Sequence, residues 1–280
     1  MSFFRLKRQV GKIFTLVASK WKKSFMKKTA IIFFGSLLFS NCLFAQINTE
    51  VKLFQPQTIS NGQVFGLTLS SDGNTAYFVN SFGGRQQLEL MQSEKKNGKW
   101  AAPKAAFFSQ KGIREIDPFI SPDGNTILYN SRRSLSNEKE KDLDVWMLKK
   151  QNGKWSKPFP VDAINTSENE TYASMSLNGN IYFGVAKTGG YGGGDIYVSK
   201  FENGKYQATK NIGFPVNTDK DEGNCFIAPD ESYMIFSANG YTSNFGGFDL
   251  YISFNSNGKW SLPINLGDKI NTGDNDFCPF

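Results

Sequence analysis

Asn97-Gly98-Lys99-Trp100 returns as Asn152-Gly153-Lys154-Trp155, as Asn203-Gly204-Lys205-Tyr206 and as Asn257-Gly258-Lys259-Trp260, at spacings of 55, 51 and 54 residues. A period near 50 residues marks a repeat architecture. A second turn signal runs about 25 residues ahead of each copy: S-D-G-N-T from Ser71, P-D-G-N-T from Pro122, L-N-G-N from Leu177 and P-D-E-S from Pro229. Between the signals lie short alternating runs, T-I-L-Y from Thr126, N-I-Y-F from Asn180 and Y-M-I-F from Tyr233, then D-V-W-M from Asp144, D-I-Y-V from Asp195 and D-L-Y-I from Asp249. Alternation with β-branched and aromatic enrichment, bounded by Gly, Asn and Pro, predicts strands.

Each unit parses into four strands. The first precedes the P-D-G turn (D-P-F-I-S from Asp117), the second follows it, the third carries the Asp-apolar-aromatic pattern, and the fourth starts at N-G-K-W. Asn-Gly between alternating runs favours a two-residue hairpin, because both residues tolerate positive φ. Four antiparallel strands in about 50 residues describe one propeller blade. The expected fold is therefore an all-β propeller with four complete blades, at 60–107, 116–162, 170–216 and 222–266, and a partial first strand at 275–280. Val51 to Ile59 reads as a fourth strand able to pair with that tail across the closure; with four blades and fragments, the chain is either truncated or an open arc.

The 280 residues carry 32 Lys or Arg against 25 Asp or Glu. Nine of the basic residues and none of the acids fall in residues 1–45, so the remainder, 23 basic against 25 acidic, is near neutral. The high overall pI thus belongs to the leader and gives no ground for a nucleic-acid partner. That leader reads as an export signal: Met26-Lys27-Lys28 is a basic start, Ala30 to Phe39 an apolar core too short to span a bilayer comfortably, and Leu43-Phe44-Ala45 before Gln46 a cleavage site. The expectation is a periplasmic or secreted domain of residues 46–280, cut after Ala45, with no transmembrane segment in the mature chain. Translation from Met1 and from Met26 both fit. Lipidation at Cys42 is the alternative, against which Asn41 speaks.

The repeated P-D-G-N-T-I-L-Y-N-S from Pro122, with D-V-W-M, N-G-K-W-S-K-P, D-I-Y-V and D-L-Y-I, resembles the TolB-like, WD-repeat-like β-propeller repeats of bacteria over roughly residues 60 to 280. The resemblance implies an exported or envelope protein, since such repeats sometimes precede an outer-membrane-protein-A-like peptidoglycan-binding domain. It implies fold more than function, because propellers host many activities. Leu88-Glu89 in the first unit and Leu177-Asn178 in the third depart from the pattern.

Strand alternation puts the tight P-D-G and N-G-K turns on one face. Loops after the second strand and between blades fall on the other, where binding residues on a rigid scaffold collect. Candidate contact residues there are Arg85, Arg132, Arg133, Tyr191, Tyr241 and Phe245, Tyr and Arg being frequent anchors. The run Gly189 to Gly194 lacks the following helix that a phosphate cradle needs. Asp144, Asp195 and Asp249 at third-strand starts suit loop closure by accepting backbone N–H bonds. N-T-D-K-D-E-G-N from Asn217, N-T-G-D-N-D from Asn271 and N-T-S-E-N-E-T from Asn165 read as inter-blade connections rather than calcium loops, and no metal or cofactor is expected. Trp100, Trp155, Tyr206 and Trp260, equivalent in every unit, suit blade packing more than glycan stacking.

With no histidine in the chain, Ser-His-Asp and Cys-His nucleophiles are excluded. The expected function is non-catalytic: a scaffold binding a protein or cell-envelope component, with a glycan as a further candidate. The alternatives are a carbohydrate-active hydrolase or lyase working with two carboxylates, or a fragment of a larger outer-membrane-associated protein. Cys225 and Cys278, taken as equivalent first-strand positions, are expected as free buried thiols, since such positions usually lie too far apart to bridge.

Overall fold

A two-residue hairpin of the I′ kind needs positive φ at both central residues, and Asn-Gly meets that need at little cost. In the computed structural model, which describes residues 52–134 and 142–280, Asn97, Asn152, Asn203 and Asn257 have φ of 49–53° and the glycines after them 77–80°. The leader, its expected cut after Ala45, Cys42 and the stretch 135–141 lie outside the described residues. In the other turn, Asp72 Oδ1 accepts from Ser70 Oγ (2.6 Å) and the Asn74 amide (2.9 Å), and Asp123 repeats the pattern with Ser121 and Asn125.

These turns fold the described residues into four antiparallel blades. Blade 1 is Val64–Leu69, Thr75–Phe82 and Gln87–Lys96; blade 2 is Glu115–Ile120, Thr126–Ser131 and Asp144–Gln151. Blade 3 is Glu170–Met175, Ile181–Val185 and Asp195–Ser199; blade 4 is Asp221–Ile227, Tyr233–Asn239 and Asp249–Ser256. The fourth strand comes in two pieces: Lys99–Trp100 closes the hairpin and Lys104–Ala105 returns to the third strand. Pro103, Pro158 and Pro263 sit in this break; Thr209 holds the same place in blade 3, so Pro accompanies the break without being required for it.

Each sheet buries both faces, which makes the blades fan out radially. Val79 and Leu90 of blade 1 pack on Ile127 and Trp146 of blade 2. Leu128 and Met147, on the other side of blade 2, pack on Ile181 and Phe183 of blade 3. Ile196 of blade 3 meets Met234 and Phe236 of blade 4. The repeated aromatics take part: Trp155 lies 6.1 Å from the Phe107 ring of the preceding blade and Trp260 6.4 Å from Tyr182. Polar side chains also tie neighbouring blades together. Asn130 of blade 2 donates to Glu170 O (2.6 Å) and accepts from the Tyr172 amide (2.9 Å) of blade 3.

Every inner strand carries a bulge, where the register slips between Phe65 and Thr68, Ile116 and Phe119, Thr171 and Ser174, and Gly223 and Phe226. A bulge re-aims one side chain. Here that residue has positive φ: Gly66 (60°), Asp117 (53°), Tyr172 (49°) and Asn224 (45°).

Cys278 has φ 58° and continues this series. The tail thus supplies a fifth inner segment, and its equivalence differs from the sequence reading: Cys278 matches Asn224, not Cys225. The reason lies upstream. Thr272 bonds Asp276 as Thr218 bonds Glu222, four residues on in each case, which fixes the register. The Asp276 amide donates to Phe248 O as the Glu222 amide donates to Gly194 O. Phe280 packs against the face of blade 1 that Leu67 and Phe78 form, and Tyr172 OH, across the axis, donates to Pro279 O. The expected fourth strand over Val51 to Ile59 is not formed in the described part. Residues 52–59 make a turn with one Pro56–Ser60 bridge, and Phe54 stacks edge-on over Trp100 at 5.6 Å. Phe54 therefore covers the aromatic that the other blades cover with a neighbouring sheet.

Candidate functional site

The loop face is stiffened from within by three repeated devices. Asn165, Asn217 and Asn271, in the I/V-N-T connections, each clamp one residue of the preceding third strand: Asn217 Oδ1 accepts from the Ile196 amide (2.9 Å) while its Nδ2 donates to Ile196 O (2.8 Å). Asn165 does the same to Val145 and Asn271 to Leu250. The acids of these segments cap the connection, with Thr166 and Thr218 hydroxyls donating at 2.6 Å to Glu170 and Glu222. Among the described residues no group of three or more acids or cysteines is placed to hold a metal ion.

The second device is the third-strand aspartate. Asp195 Oδ2 accepts from the Tyr191 amide (2.7 Å) and from Asn211 Nδ2 (3.0 Å). Asp249 Oδ2 accepts from the Phe245 amide (2.8 Å) and Asn265 Nδ2 (2.8 Å). The third is close backbone approach. A Cβ on Gly192 would stand 1.8 Å from Lys220 O, and one on Gly246 2.1 Å from Asp274 O. The glycine run is thus spent on pressing one loop against the next connection.

These devices display two aromatics at equivalent places. Tyr191 is 59% exposed and Phe245 53%, each four residues before the aspartate that holds its amide. The other sequence candidates divide. Tyr241 is half-buried, its ring 4.9 Å from Tyr251 and its hydroxyl on Val216 O. Arg133 is a strut: Nη2 meets Glu115 Oε1 at 2.7 Å and Phe108 O at 3.0 Å, beneath the surface and over the Trp146 ring. Arg132 is half-buried and its amide bonds Arg114 O.

Arg85 lies at the axis. Its guanidinium carbon sits 4.8 Å from the Phe65 ring centroid and 5.1 Å from that of Phe277, so it joins the first blade to the tail. Beneath it is a cavity of about 350 Å³, walled by residues of all five inner segments: Phe65, Ile116 and Asp117, Thr171, Asn224, and Phe277 with Cys278. Arg114, Leu88, Phe248 and Asn275 complete the wall.

Asp117 is the buried acid of this wall, 6% exposed. Desolvation pushes its carboxyl up to about 7, opposed by the Tyr172 amide and by the Arg85 and Arg114 guanidiniums. Sequence reading named Arg85 but neither Asp117 nor Arg114. Aligning the second, third and fourth units on Glu115, Glu170 and Glu222 puts Asp117 in line with Tyr172 and Asn224, a signal the sequence does contain.

The fold is thus a four-bladed β-propeller whose loop face opens on an axial cavity. No family model matches the chain, and no curated protein matches it. Among solved structures it is similar to TolB from Acinetobacter baumannii, at 14% identity and a TM-score of 0.47, over 71% of this chain and 43% of that one. It is also similar to a puromycin-hydrolyzing peptidase from Mycobacterium tuberculosis, at 11% identity and 0.46, over 73% and 29%. A third is the hydrazine synthase of Kuenenia stuttgartiensis, at 14% and 0.39, over 74% and 55%. The chain spans little more than half of these proteins at most, and at such identities none of their activities carries over. No helix among the described residues is long and apolar enough to cross a membrane.

Proposed function

We propose that the chain is an exported, non-catalytic propeller that recognises a protein or cell-envelope component through its loop face. The observation that carries this reading is the pinned display of Tyr191 and Phe245 on that face. Large aromatics left in water on loops that Asp195, Asp249 and two close-packed glycines hold still are pre-organised anchors, and order already present need not be gained on binding. The opposite face offers tight turns. The buried acids of the connections support a structural role rather than a catalytic one, since Glu170 and Glu222 are each engaged by a threonine. Export rests on the leader read from the sequence.

The test is in-cell photo-crosslinking with a photoreactive residue placed at Tyr191, at Phe245 and, as control, at the turn residue Lys154. Specific adducts from the first two and none from the third are expected. Adducts from Lys154 alone would overturn the assignment of the face, and recovery of the protein from the cytoplasm with its leader intact would overturn export.

A further inference from the structure

We propose that the axial cavity binds a carboxylate that carries an apolar group, the carboxylate held by Arg85 and Arg114 and the apolar part lying against Phe65, Ile116 and Phe277. The inference deepens the loop-face reading and rests on it.

The charges argue for an anion. Two guanidiniums and one carboxylate line the wall, and the buried Nε of Arg114 has no hydrogen-bond partner in the structure. A buried donor without a partner costs free energy that a ligand oxygen recovers. Arg85 is already held over two rings, so little side-chain freedom remains to be lost when its planar fork meets a carboxylate.

The walls argue for the rest of the ligand. Phe65, Leu88, Ile116, Phe248 and Phe277 would leave a bare inorganic anion beside apolar surface. Asp117 places a carboxyl on the same wall, which opposes a dianionic phosphate more than a monoanion. A volume of about 350 Å³ lies at the small end of ligand sites, the size of one amino-acid derivative. Such chemistry is shared by a free N-acylated apolar amino acid and by the C-terminus of a protein chain ending in an apolar residue.

The test is calorimetric titration of the exported domain with N-acetyl-L-phenylalanine and, separately, its amide. The acid is expected to saturate the protein at millimolar concentration or below and the amide to bind on the order of tenfold more weakly, since a hydrogen-bonded charge is lost. Arg114→Gln should weaken the acid by a similar factor. Asp117→Asn, which keeps the shape and tolerates the positive φ, should tighten it, and the thermal midpoints of both variants check that they fold. Equal binding of acid and amide, no binding of either, or weakening by Asp117→Asn would overturn the proposal. A hexapeptide with a free C-terminal Phe that binds more tightly than the small acid identifies a chain terminus as the source; exclusion of the peptide identifies a free acid. Acid binding with no adducts at Tyr191 or Phe245 would leave the pocket and overturn macromolecular recognition. Adducts with no acid binding would overturn the pocket alone.

Discussion

Arg133→Ala removes a cation from a carboxylate that has almost no access to water. Glu115 is 1% exposed at its side chain and meets Arg133 Nη2 at 2.7 Å. After the change it keeps only the Ser131 hydroxyl at 3.0 Å and the Gln110 amide at 2.8 Å. Stranding a buried charge costs about 3–5 kcal/mol, and the two remaining donors put this case near the lower figure. The guanidinium also lies 5.2 Å from the Trp146 ring and 5.8 Å from Tyr129, and truncation to Ala ends its attraction to both rings. For a domain of this size each kcal/mol moves the midpoint by roughly 2–4 °C, so a fall of about 6–12 °C is expected. Urea unfolding of wild type, Arg133→Ala, Glu115→Gln and the double variant reads the coupling directly. The double variant should recover much of the loss, because the neutral amide no longer strands a charge. A loss below about 1 kcal/mol, or no rescue by Glu115→Gln, would refute a buried strut and return Arg133 to the surface as a contact residue.

Stability should fall as pH rises from about 5 to about 8: the carboxyls of Asp117 and Glu170, both pushed up to about 7 by burial, hold protons that the unfolded chain has already released. The carboxyls held low, Asp72, Asp123 and Asp230, act below the ordinary carboxylate range and leave this window alone. Differential scanning calorimetry should give a higher midpoint at the acid end and a flatter profile in Asp117→Asn/Glu170→Gln; a midpoint that climbs through the window would contradict it. Asn217→Ala leaves the Ile196 amide without its partner, while the Ile196 carbonyl keeps the Ile212 amide at 3.1 Å, and should cost about 1–3 kcal/mol, with faster hydrogen exchange at the Ile196 amide as the specific sign. Gly246→Ala drives a methyl group into Asp274 O and should raise proteolysis of the 240–248 loop, whereas Gly273→Ala, with nothing nearby, should leave it unchanged.

The repeat made the architecture legible because local rules and global fold agree here. Asn-Gly can only turn tightly, and alternating T-I-L-Y and D-V-W-M can only be strands with two buried faces. The loop-closing roles of Asp195 and Asp249 followed from the same local logic. What escaped was set by distance along the chain. Whether Arg133 projects to solvent or onto Glu115 depends on a residue 18 positions away, and the tail's register depends on Thr272 pairing with Asp276. The axial cavity collects Arg85, Arg114 with Asp117, and Phe277 from three segments far apart in the chain, so no short motif announces it. Asp117 reads locally as part of a strand; its positive φ belongs to the bulge that every inner strand carries.

Closure of the ring by the tail is the feature on which the axial cavity and the loop-face reading both depend. A nuclear Overhauser experiment on the exported domain, with Tyr, Phe and Pro selectively labelled, addresses it directly. Cross-peaks are expected between the Tyr172 ring and Pro279, and between the rings of Phe65 and Phe277, whose centroids lie 6.4 Å apart. Absence of both, with Pro279 at random-coil shifts, would mean that the tail does not line the axis and that the cavity has no fifth wall.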